Sequence, residues 1–87
     1  MKLYHVTTEK KVRNYHQNGY IRSPVRGFTT VQAAMAWAIK VKRTIILEFE
    51  AEKPHKLPDH HNAYGEAWWN DSDVGSWNCI FSAEKDA

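Results

Sequence analysis

The chain has 87 residues, of which 43% are hydrophobic and 25% charged. That suffices for one small domain with a modest core, and the balance is ordinary for a folded soluble protein. The formal net charge of +2 hides an asymmetry: residues 1–43 carry nine Lys/Arg against one Glu (+8), and residues 44–87 carry three Lys against nine Asp/Glu (−6). A single cysteine, Cys79, rules out an intramolecular disulfide, so a reducing cytoplasm is the expected setting. No apolar run is long enough for a signal peptide or a membrane span, so no membrane partner is expected.

The chain opens with "LYHV", rich in strand-formers. Thr7 or Thr8 then supplies an N-cap hydroxyl, and Glu9 suits a first helical turn. In "EKKVRNYHQN", Val12, Tyr15 and His16 share one face at i, i+3, i+4, and Gly19 ends the helix as a residue free to take positive φ. Tyr20 and Ile21 read as a brief strand that Pro24 breaks, with a turn at Gly27. "GFTT" is a very short strand or turn, with Thr30 as N-cap of a second helix, "VQAAMAWAIKVK". That helix is apolar nearly all round and so is expected to be buried.

"RTIILEFEAE" has the alternation of a half-buried strand. Ile45, Leu47, Phe49 and Ala51 face the core; Thr44, Glu48, Glu50 and Glu52 face water, with Ile46 the exception. Residues 53–76 hold two prolines, two glycines and an Asn/Asp/Ser cluster, and are expected as a long aromatic-rich loop. "SWNCIFS" reads as a closing strand in which Cys79 is an inert buried thiol. Residues 83–87 form a polar tail. The expected order is β-α-β-β-α-β-loop-β in a single domain, residues 1–87. The fold class is α+β: a small mixed or antiparallel sheet with two helices.

Among the candidate functional residues, His5 comes first, because histidine is a frequent base, ligand or donor. Its alternative role is a satisfied strand histidine. Arg22 and Arg26, flanking Pro24 near a glycine, suit a phosphate-bearing ligand or are solvated loop charges. Glu66, in "YGEAWW", suits a carboxylate in general acid–base work or is an exposed turn charge.

"LYHVTT", the helix-ending glycine of "QNGYI", "GFTT" running into an Ala-rich helix, and "TIILEFE" together resemble the first half of the ADP-ribosyltransferase superfamily fold, over roughly residues 2–50. The chain is similar to a minimal or degenerate member. The resemblance implies NAD, or a related ADP-ribose-containing molecule, as ligand or substrate, and ADP-ribosyl transfer as the activity, with the acceptor open. His5 would hydrogen-bond the ribose beside the nicotinamide, flanked by Thr7. Phe28 would stack on the nicotinamide, with Thr29 and Thr30 supporting the site. Glu66 stands as the candidate third-motif glutamate.

Two other functions stay open. One is a non-catalytic interaction or oligomerisation domain using the aromatic segment 64–69. The other is nucleic-acid binding through the basic N-terminal half. Trp68, Trp69 and Trp77 read as packing residues rather than a base-stacking platform. "PHKLPDHH" gathers His55, Asp59, His60 and His61 but lacks the usual zinc spacings, so no metal is expected.

Overall fold

The computed structural model describes residues 1–83, with residues 58–62 described as backbone only. Six strands form one sheet in the order β4-β5-β2-β1-β3-β6, every neighbouring pair antiparallel. The strands are β1 (Lys2–Thr7), β2 (Val25–Phe28), β3 (Ile45–Glu50), β4 (Pro54–Asn62), β5 (Gly65–Asn70) and β6 (Asn78–Ser82); the helices are α1 (Glu9–Asn18) and α2 (Val31–Val41). The protein is α+β, and its sheet is wholly antiparallel.

Both helices start at threonine caps. The Thr8 hydroxyl accepts from the Lys11 N–H at 3.3 Å, and the Thr30 hydroxyl from the Ala33 N–H at 3.1 Å. Helix α1 ends at Gly19, whose φ of 82° is the left-handed conformation glycine adopts without penalty. Helix α2 ends at Lys42, at φ 58°, a conformation that strains a side-chain-bearing residue.

The sheet is covered on both faces. Leu3, Ile45, Leu47 and Phe49 pack with Ile21, Val25 and Val74 on one face, closed over by Val12 and Tyr15 of α1. Val6, Phe28, Ile46 and Ala67 pack on the other, under Ala33, Ala34 and Ala38 of α2. This explains the break in the β3 alternation: Ile46 is wholly buried beneath α2, and only the Glu48–Glu50 end of that face reaches water. The Ala-rich face of α2 lets the helix lie close to the strands.

Several sequence expectations need correction: Gly27, expected at a turn, lies within β2, and α2, expected to be buried, buries only Ala33, Ala34 and Ala38 and leaves Ile39 73% exposed. Residues 53–76 are not one loop, because they contain β4 and β5, joined through Ala63 and Tyr64. Pro54 and Pro58 pointed to a loop, but β4 is an edge strand, where a missing backbone N–H is tolerated. Tyr20 and Ile21 form no strand; Ile21 makes a single bridge to Val74, through backbone bonds of 2.7 and 2.9 Å. Cys79 is exposed rather than buried, because β6 is the other edge of the sheet and its residues are mostly open to solvent. Beyond Ala83, the expected polar tail lies outside the described residues.

Candidate functional site: a basic cleft where two strands part

The sheet is unevenly joined. β1 and β3 pair at every position from Lys2–Glu50 to Thr7–Ile45, and β2 and β5 from Val25–Asn70 to Phe28–Ala67. Between β1 and β2 there is a single paired position, Tyr4 against Phe28. Beyond it the strands part, and a cleft of about 480 Å³ opens between them, reaching from α1 on one side to the end of α2 on the other. That size suits a small-molecule site.

His5 bridges the gap. Its Nδ1 lies 2.7 Å from the Arg26 carbonyl oxygen, and its Nε2 lies 3.0 Å from the Tyr15 hydroxyl. A carbonyl only accepts, so Nδ1 carries the proton and Nε2 accepts from Tyr15. The Tyr15 oxygen in turn stands 3.2 Å from the Thr7 hydroxyl, which is left to donate. The chain of donors runs Thr7 to Tyr15 to His5 to Arg26, with the imidazole neutral. Burial pushes the His5 pKa from 6.5 down to about 4; the Arg26 carbonyl opposes this, and the cations of Lys11, Arg43 and Arg26 reinforce it. Both ring nitrogens are thus engaged, and a ligand hydroxyl meets His5 only by displacing Tyr15.

The cleft's charge is one-sided. Lys11, Arg22, Arg26 and Arg43 line it, and among the described residues no carboxylate does; Asp73 stands outside the lining, close enough to Arg22 to feel its charge. The guanidinium of Arg26 sits 4.9 Å above the Trp69 ring, and its Nε is buried with no hydrogen-bond partner. Arg43 crosses to β1, donating to the Val6 carbonyl at 3.3 Å. Phe28 and Trp37, with ring centroids 6.2 Å apart, give the α2 side an aromatic wall. Phe28 is itself buried, and Trp37 and Trp69 are partly accessible, so the cleft offers cations beside the edges of packed rings, a setting that suits an anion carrying flat groups.

Four of the residues singled out in the sequence meet here: His5, Arg22, Arg26 and Phe28 all line the cleft. The others stand apart from its lining. Thr7 is fully buried behind Tyr15. The Thr29 hydroxyl accepts from the Glu66 N–H at 3.1 Å, and the Thr30 hydroxyl donates to the Tyr64 carbonyl at 2.8 Å while capping α2. Glu66 lies on β5 with its carboxylate held by Lys56. The segment 64–69 is a turn and a strand, and its Trp69 turns toward the cleft. His55 pairs with Asp71 at 2.7 Å, and no cluster suited to a metal occurs among the described residues. The side chains of Asp59, His60 and His61 lie outside the described residues.

Sequence reasoning missed Lys11, Asn14, Tyr15, Trp37, Arg43 and Trp69 as lining residues. A partial signal existed. Lys11, Asn14 and Tyr15 are spaced i, i+3, i+4, and Trp37 and Val41 i, i+4, so each set shares a helix face. No family model, curated protein or solved structure matches the chain.

Proposed function

We propose that the cleft binds NAD or a related ADP-ribose-containing molecule, with the diphosphate on the cations and the flat groups against the aromatic wall. The observation that carries this reading is a cleft lined by four cations and, among the described residues, no carboxylate, opening beside His5, Phe28 and Trp37. The sequence resemblance to the ADP-ribosyltransferase superfamily supports the same ligand, since His5 and Phe28 both fall on the cleft wall. Binding is the core of the proposal. Transfer needs a carboxylate at the reacting ribose, and Glu66, the residue expected for it, is paired with Lys56 outside the lining.

Calorimetric titration of NAD and of ADP-ribose at low salt tests this, on the wild type, His5→Ala and Arg26→Gln. The expected result is one binding site in the wild type, weakened in both variants. At a hundredfold excess over Kd, the ligand should also stabilise the fold by about 2.7 kcal/mol, visible as a raised Tm. No heat and no Tm shift with either ligand at millimolar concentration would overturn the proposal.

A further inference from the structure

We infer that Tyr15 is an autoinhibitory latch on the cleft: its hydroxyl holds the seat at His5 that a ligand hydroxyl must take, and α1 gives way when that ligand binds. Two groups of β1 define the seat. His5 Nε2, 3.0 Å from the Tyr15 oxygen, accepts, and the Thr7 hydroxyl, 3.2 Å from it, donates. A group that replaces Tyr15 must therefore donate one hydrogen bond and accept another, as an alcohol does. An ionised phosphate or carboxylate oxygen only accepts, and Nε2 offers it nothing. The seat thus selects a neutral hydroxyl, next to cations that suit the anionic part of the same ligand.

The helix that carries the latch is lightly held. No residue of α1 is buried; Val12 and Tyr15 are half-buried, and the rest of the helix is exposed. By contrast, α2 buries Ala33, Ala34 and Ala38. Among the described residues, the only side-chain hydrogen bonds from α1 to the sheet are those of the Tyr15 hydroxyl, and no residue of α1 joins an ion pair. The remaining hold is by side-chain packing: Val12 and Tyr15 on the core, and the Trp77 ring against Tyr15 and His16 at centroid distances of 6.1 and 5.3 Å. Opening α1 alone strips His5 and Thr7 of their shared partner, which keeps the latch shut in the free protein. A ligand hydroxyl restores both bonds and so shifts the population toward the open state. Lys11 and Asn14 line the cleft from the same helix, so this wall of the cleft moves with Tyr15. The inference rests on the NAD reading only for which molecule brings the hydroxyl.

Tyr15→Phe keeps the ring and removes the latch. Calorimetry compares it with the wild type, using ADP-ribose and, as an anion without an alcohol, inorganic pyrophosphate. The binding-competent state becomes more populated, so the variant should bind ADP-ribose about tenfold more tightly, with no gain for pyrophosphate. A tyrosine that merely touched the ligand would weaken binding when truncated. Hydrogen exchange reads the latch in the free proteins. Wild-type α1 amides should exchange through an opening that urea barely promotes, unlike those of β3, and about tenfold faster in Tyr15→Phe. Adding ADP-ribose to the wild type should speed α1 exchange. Four results would overturn the inference: equal or weaker ADP-ribose binding by the variant, an equal gain for pyrophosphate, α1 exchange that ADP-ribose slows, or α1 exchange in the free protein that ignores the substitution or tracks β3 with urea. Any of these alongside ADP-ribose binding fails this inference alone. If ADP-ribose and NAD bind neither protein, the earlier proposal fails, and exchange in the free proteins decides the latch.

Discussion

Acid should loosen this protein through one imidazole. In the fold, His5 is held neutral down to about pH 4 by burial, helped by the neighbouring cations. In the unfolded chain it titrates near 6.5. Above pH 7 both states hold it neutral, and it contributes nothing to the pH dependence. As pH falls through the window from 6.5 to about 4, the unfolded chain takes up a proton that the fold refuses, so stability drops by about 1.4 kcal/mol per pH unit. Below the window both states are protonated and the loss levels off near 3 kcal/mol; at about pH 4.5 it has reached roughly 2.5 kcal/mol. Glu50 and Asp73 also lose favourable interactions as the solution turns acid. The N-terminal ammonium hydrogen-bonds Glu50 and the Ser23 N–H hydrogen-bonds Asp73, and each keeps its carboxyl pKa low. A variant that keeps those carboxylates but cannot titrate at position 5 removes their share. His5→Asn is suitable, because the amide N–H can still donate to the Arg26 carbonyl. Urea denaturation of both proteins between about pH 8 and 4.5 should show the wild type losing about 2.5 kcal/mol more than the variant. Parallel stability profiles would refute the claim that the fold holds the partly buried His5 neutral.

Three further changes probe the frame around the cleft. Tyr15→Phe leaves His5 Nε2 and the Thr7 hydroxyl without their shared partner, and should cost about 1–3 kcal/mol in chemical denaturation. Gly27→Ala puts a methyl carbon 2.6 Å from the Leu3 Cβ, so β1 and β2 must move apart at the seam to admit it; a loss of about 1–3 kcal/mol is expected by the same assay. Lys42→Gly relieves the left-handed backbone at the end of α2 and should stabilise the protein by up to about 1 kcal/mol, read as a raised Tm.

The elements with local signals were legible in the sequence. Thr30 before an Ala-rich run and Gly19 after an amphipathic one define their helix ends by short-range chemistry, and both occur as expected. The β4–β5 hairpin was not legible, because its prolines carry a loop signal that only a sheet edge cancels, and edge position is a property of the assembled sheet. Ile46 broke the β3 pattern for a similar reason: a second packed face is contributed by α2, and alternation within one strand cannot report it. At the site, His5, Arg22, Arg26 and Phe28 were found because their residue types carry chemistry in short motifs. Tyr15 was read as helix packing. It does pack on the core, and its hydroxyl also reaches His5, a contact set by how α1 lies on the sheet. Glu66 was chosen for its residue type alone; the β5 register places it opposite His61 of β4, and its carboxylate meets Lys56 there.

The single pairing of Tyr4 with Phe28 divides the sheet into two three-stranded leaves, β4-β5-β2 and β1-β3-β6, joined along a short seam. Backbone amides along β3 are tied into a long ladder, whereas those flanking the seam have few inter-strand partners. In hydrogen–deuterium exchange, β3 should be the slow-exchanging centre, and the β1 and β2 amides beside the seam should exchange earliest among the interior strands. A molecule seated in the cleft touches β1 on one side and β2 on the other, so it fastens the two leaves together. Exchange should then slow on both leaves at once, including amides remote from any ligand atom, and the protein would report occupancy of its cleft through the mechanical coupling of its own sheet.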